Sequence, residues 1–231
     1  MVAGNASAMV YARPGVPRPH RWPIEQLRRP EAFGVGRDLV AALLREPSVG
    51  LLAAESDGGV WVGSTEGSAL LRRTRHGIAY RPLEGDPLAV GGPRSGTLRE
   101  WLEATWDDEY PDAAYHLLDQ FRADRAGDLL VVAREGYDFR RRFEIPEHKS
   151  GHGSLVRSHM QTPVWSSAPL PAEPIRTVDL FPAMLSWLGE PVPEGLDGEA
   201  IWLPTPRHEA RDPSLVSAAD LDADSLPMAP R

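Results

Sequence analysis

The stretch Asp128–Ala133 (DLLVVA) constrains the fold more than any other, because one acidic residue is followed by five apolar residues without polar interruption. A strand with one wet face alternates, so an unbroken apolar run of this length reads as a strand covered on both faces. It predicts a central strand, and a central strand needs flanking helices to cover it.

The rest of the chain offers such elements. Ala6–Ala12 (ASAMVYA) reads as a strand close to the first residue, a start that suits a chain cut inside a domain. After a Pro-rich stretch, Asp38 opens a helical pattern through Leu39, Val40, Leu43 and Leu44 that Pro47 ends. Val49–Ala54, Val60–Ser64, Ala69–Arg73 and Ile78–Pro82 are short β-rich runs between Gly-containing turns, which predicts a small antiparallel lobe over about 49–92. Thr97–Arg122 is helical in two pieces, the second starting near Pro111. A His- and Gly-rich loop spans Tyr137–Ser158, Thr162–Ser167 reads as a strand, and Thr177–Leu188 as a helix closed by Gly189. From about Pro204 the chain is acidic and small, which predicts disorder over 204–231.

Composition excludes several classes. There is no cysteine, so no disulfide frame and no thiolate zinc site; any metal would need His, Asp and Glu. A net charge of −8, with Lys149 the only lysine, argues against binding the backbone of a nucleic acid. Arg140, Arg141 and Arg142 could meet an anion or simply lie in a solvated turn. No basic segment leads into a long apolar run, and no stretch is long and apolar enough for a membrane span, so the expected protein is soluble and cytoplasmic.

Three of the seven histidines, His148, His152 and His159, fall within EHKSGHGSLVRSHM. Gly151 and Gly153 make a helix there unfavourable, but they let the backbone approach a neighbour closely and leave the His152 imidazole unobstructed. On spacing alone, a metal ligand and a hydrogen-bonded loop histidine both remain open. Asp112 and His116 form an Asp-x-x-x-His on one face of a helical pattern, read as a helix-surface pair. Asp179 stands in the first turn of its helix, where an acidic residue favours the dipole, and Asp197, in GLDG, reads as a turn residue. The seven tryptophans are scattered and read as packing residues.

Three blocks carry a resemblance: Gly127–Phe139 (GDLLVVAREGYDF), Glu147–Val164 (EHKSGHGSLVRSHMQTPV) and Ile175–Gly198 (IRTVDLFPAMLSWLGEPVPEGLDG). In this order they resemble the C-terminal third of alkaline phosphatase superfamily proteins, with the flavour of the type I phosphodiesterase and nucleotide pyrophosphatase branch. Asn5–Val90 more weakly resembles the insertion that precedes the strand in that family. The resemblance implies an α/β fold: part of a mixed or mostly parallel alkaline-phosphatase-like sheet with flanking helices over residues 1–203, plus the small antiparallel lobe.

It also implies hydrolysis of a phosphate monoester or diester at a pair of divalent ions, zinc in the parent family. In such chemistry two ions about 4 Å apart clamp the phosphoryl group while a Ser or Thr alkoxide attacks in line. The His of the family's His-Gly pair is a metal ligand, which assigns that role to His152. His148 and His159 become groups that orient the loop. The family's nucleophile, its Asp-x-x-x-His motif and its Asp-His pair have no counterpart here, and no Asp-His dipeptide occurs anywhere. The expected protein is therefore a hydrolase segment contributing one ligand and pocket wall. It would act on a phosphorylated small molecule with a separately encoded N-terminal half or once an upstream start is restored, and zinc binding by the isolated chain is expected to be weak. The alternative is a non-catalytic remnant or interaction module that keeps the fold.

Overall fold

The structure, a computed structural model, describes residues 5–12, 21–29, 31, 36–92, 94–139, 151–166 and 169–201. They belong to two compact units, Met1–Trp165 and Ser166–Arg231. Arg140–Arg142, His148, Lys149 and the acidic 204–231 tail lie outside the described residues.

The first unit is built on seven strands: β1 (Ser7–Val10), β2 (Val49–Ser56), β3 (Gly59–Ser64), β4 (Gly67–Thr74), β5 (Gly77–Gly85), β6 (Arg94–Gly96) and β7 (Leu129–Ala133). They form one sheet in the order β1-β7-β2-β3-β4-β5-β6. From β2 to β5 the chain meanders through two-residue connections at 57–58, 65–66 and 75–76. Gly67, just after the second of these, lets β4 approach β5 closely: its φ is +134°, and a Cβ there would stand 1.9 Å from the Glu84 carbonyl oxygen.

Two expectations are corrected here. Every pairing among the described strands is antiparallel, not mixed or mostly parallel. The β-rich stretch after Val49 is no separate lobe either, because β2 pairs with β7 in the same sheet. The physical reason is visible in how β7 is covered. Leu130 and Val132 join Leu51, Ala53, Val60 and Val62 on one face, beneath α3 (Leu98–Thr105) and α4 (Ala113–Gln120). Leu129 and Val131 join Leu52, Ala54 and Trp61 on the other, beneath α1 (Ile24–Leu27) and α2 (Leu39–Leu44). Helices thus reach both faces without the crossovers that a parallel sheet requires, so an all-apolar strand is compatible with antiparallel pairing.

Two of the helices, α2 and α3, start where local chemistry predicts. Asp38 caps α2 by accepting the Ala41 amide at 2.9 Å, and Thr97 and Glu100 form a capping box at α3. Trp101, 1% exposed, fixes α3 to the sheet by donating its Nε1–H to the Ile78 carbonyl at 3.0 Å. The end of α4 is closed from a distance: Arg21 donates to the carbonyls of Phe121 at 2.7 Å and Ala123 at 2.8 Å, and pairs with Glu55 at 2.5 Å. A guanidinium there satisfies terminal carbonyls and complements the negative helix end.

Beyond α5 (Arg157–Met160), the run Thr162–Ser167 does not form the expected strand over its described residues 162–166. Pro163 has no amide to give to a ladder, and Trp165 is 85% exposed, so the segment has neither pairing nor burial to hold it in a sheet.

In the second unit a 3-10 turn, Thr177–Asp179, leads into α6 (Leu180–Leu188). Asp179, 5% exposed, accepts the Arg176 amide at 2.8 Å with one carboxylate oxygen and the Glu199 amide at 2.9 Å with the other. The capping role read from the sequence holds and extends to the turn around Asp197. Gly189 ends α6 at φ 73°, as predicted. Among the described residues no helix is long and apolar enough to cross a membrane.

Candidate functional site

His152 is exposed on the loop 151–156, and the loop is held at the carboxyl end of β7. Ser154, 3% exposed, donates its hydroxyl to the Ala133 carbonyl at 2.9 Å, which ties the loop to the last residue of that strand. The lead-in to β1 provides a second tie. Asn5 accepts the His152 amide on Oδ1 at 3.2 Å, and the Ala6 amide donates to the His152 carbonyl at 3.0 Å. Because β1 runs antiparallel to β7, with Ser7 opposite Val132, the start of one lies beside the end of the other.

His159, in α5, supports the same loop from below. Its Nδ1 accepts the Ser154 amide at 3.2 Å, so the neutral ring carries its proton on Nε2. Its ring also lies against Gly151, where a Cβ would come within 3.5 Å of Cε1. His152 and His159 are thus brought into one loop, His152 outward and His159 engaged with the backbone.

A cavity of about 440 Å³ opens beside α5, lined by Glu109, Glu135, Val156, Arg157, Ser158 and Gln161. His152 is not among its walls. The seam is made by α5 docking on the segment between α3 and α4: Arg157 donates Nε–H to the Asp108 carbonyl at 3.0 Å, and Gln161 donates to the Trp106 carbonyl at 2.8 Å. Burial pushes the Asp108 carboxyl above its ordinary value, against the pull of Arg157 and Arg94. Burial, and then the hydrogen bond to Glu109, push the Tyr110 hydroxyl up as well. The Ser158 hydroxyl donates to Glu135 at 2.8 Å, so among the described residues its proton goes to a carboxylate and not to a histidine.

Asp112 and His116 form a pair, with His116 Nε2 3.8 Å from Asp112 Oδ2. The helix-surface reading is corrected for Asp112, which is 3% exposed and stands in the left-handed region at φ 54° just before α4. Its amide donates to Thr105 Oγ1 at 2.9 Å, and that hydroxyl donates to the Trp101 carbonyl at 2.7 Å, so the residue belongs to the joint between α3 and α4.

The described residues contain no group of three or more His, Cys, Asp or Glu side chains placed to hold a metal ion. A catalytic centre takes about three protein ligands per ion, and the donors described here do not complete one. Asn5 and Ser154 went unnoticed in the sequence. Asn5 acts on a residue 147 positions away, and no local pattern marks such a contact. Comparison with protein-family models, curated proteins and solved structures finds no match, so the resemblance rests on the residues themselves.

Proposed function

We propose that this chain is the C-terminal segment of a metal-dependent phosphate-ester hydrolase, to which it contributes His152 as one ligand of a divalent ion. The order of the three resembling blocks, with His152 in the second, carries the reading. The geometry supports it in one respect: the loop is fixed to the lead-in of β1 through the His152 backbone and to β7 through the Ser154 hydroxyl, while the His152 side chain is exposed and free to meet a group from outside the loop. A divalent ion, zinc in the parent family, would polarise the phosphoryl oxygen when bound. The residues of this chain supply an exposed imidazole on a loop whose backbone is held. The remaining ligands and the nucleophile belong to sequence N-terminal to these blocks in the family they resemble, and the substrate is a phosphorylated small molecule.

Calorimetric titration with zinc tests the reading on the native chain, His152→Ala and His116→Ala. Weak binding that His152→Ala abolishes and His116→Ala leaves unchanged is expected. Tight stoichiometric binding lost equally in both variants would show a self-contained site and overturn it. The isolated chain should also hydrolyse neither p-nitrophenyl phosphate nor its bis-ester above buffer, and turnover that depends on His152 would overturn the segment reading in the same way.

A further inference from the structure

We infer that Asn5 is the positioning residue for His152, fixing the direction in which the imidazole leaves the loop. The inference rests on the proposed role of His152 for the purpose of that direction. The holding geometry itself is independent of any metal.

His152 sits between two glycines, Gly151 and Gly153, which allow its flanking backbone more freedom than any other pair of neighbours. Its Cα–Cβ bond is nonetheless determined, because both adjoining peptide planes are held. The plane carrying the His152 amide is held by Asn5 Oδ1 at 3.2 Å, and the plane carrying its carbonyl by the Ala6 amide at 3.0 Å. Fixing both planes fixes φ and ψ, and with them the Cβ direction.

The holder is itself rigid. Asn5 is 2% exposed, its carbonyl accepts the Phe139 amide at 2.7 Å, and the Ala6 carbonyl accepts the Ala133 amide at 2.9 Å. Asn5 and Ala6 are therefore part of the sheet's frame, and they transmit that frame to a Gly-flanked residue. A buried side-chain amide is costly unless it is paired, which gives this asparagine its specific partner.

The experiment uses the full isotopically labelled chain as native protein, Asn5→Ala and Asn5→Asp. Residual dipolar couplings report the His152 Cα–Cβ direction relative to the sheet, and residue-resolved imidazole shifts follow a zinc titration. In Asn5→Ala the His152 coupling should fall to about half or less through averaging, while those of Met9 and Val131 stay at native values. Asn5→Asp, which keeps the acceptor, should restore it. The apparent zinc constant of His152 should weaken about three- to tenfold in Asn5→Ala, in proportion to the fraction of loop conformers lost. An unchanged His152 coupling, or couplings that fall equally at Met9 and Val131, would reduce Asn5 to a structural residue and overturn the inference. Absence of any zinc-dependent shift at His152 in the native protein would overturn the ligand reading, whichever way the couplings fall.

Discussion

Ser154 and Ala133 are joined by a hydrogen bond of 2.9 Å between a buried hydroxyl and the terminal carbonyl of a strand buried on both faces. The same hydroxyl oxygen accepts the Val156 amide at 3.4 Å, so one small side chain closes β7 and opens the turn into α5. Ser154→Ala leaves that carbonyl and that amide unpaired. We expect a loss of about 1–3 kcal/mol in urea denaturation, because orphaned buried groups carry their full desolvation cost. The amides of His152 and Val156 should exchange faster with solvent, and a variant as stable as the native chain would remove Ser154 from the architecture of the loop.

The Tyr80 hydroxyl donates to Asp86, whose other oxygen accepts the amides of Gly91 at 2.7 Å and Gly92 at 3.2 Å. Burial, and then the hydrogen bond to Asp86, push the Tyr80 hydroxyl well above its ordinary value. The folded state therefore keeps a proton that the unfolded chain releases near pH 10, and the associated stability is complete below that pH and falls as pH rises. For Asp86, partial burial raises the carboxyl, but the Tyr80 hydroxyl and the amides of Gly91, Val90 and Gly92 outweigh it and leave it below the ordinary value. Its contribution is present above about pH 4 and is lost as pH falls through the folded value. Denaturation free energies from pH 3 to 11, on the native chain and Tyr80→Phe, should show a flatter alkaline limb in the variant. Tyr110, also pushed up by burial, keeps part of the slope, and Tyr110→Phe should remove that part. Identical limbs in all three proteins would contradict the assignment.

Trp101 joins α3 to β5 through its Nε1–H bond to Ile78, stands edge-on to Tyr80 at 6.3 Å between ring centroids, and offers its face to Arg94 at 5.5 Å. Trp101→Ala should cost about 3–5 kcal/mol, the range for removing a fully buried large aromatic side chain. Trp101→Phe should cost less in volume but still orphan the Ile78 carbonyl. Thermal unfolding followed by circular dichroism checks both, and equal stability of the two variants would show that the hydrogen bond and not the packing dominates.

The sequence made the elements legible where the cause is local. Asp38, Thr97 and Gly189 mark helix ends through caps and a left-handed residue, and the meander from β2 to β5 announces itself by two-residue turns at near-regular spacing. Strand direction was not local. The apolar run Leu129–Ala133 reports that both faces of β7 are covered, but parallel and antiparallel sheets can satisfy that condition equally well. The candidate site was half legible for the same reason. The glycines around His152 are adjacent in sequence, whereas Asn5, which orders them, and Ser154, which ties them to β7, act through contacts that no periodicity records.

The position of β7 between β1 and β2 has a consequence for how the sheet is assembled in time. The strands from β2 to β6 pair with sequence neighbours and can form as soon as each hairpin has left the ribosome. β1, made before these, pairs among the described strands with β7 alone, the last of the seven to be made. During synthesis β1 waits for β7 over more than a hundred residues, and β2 keeps an open edge from its own emergence until β7 follows. A chain interrupted anywhere between α3 and β7 would hold a finished meander and a stranded β1, two exposed strand edges of the kind that chaperones bind and that other chains can add to.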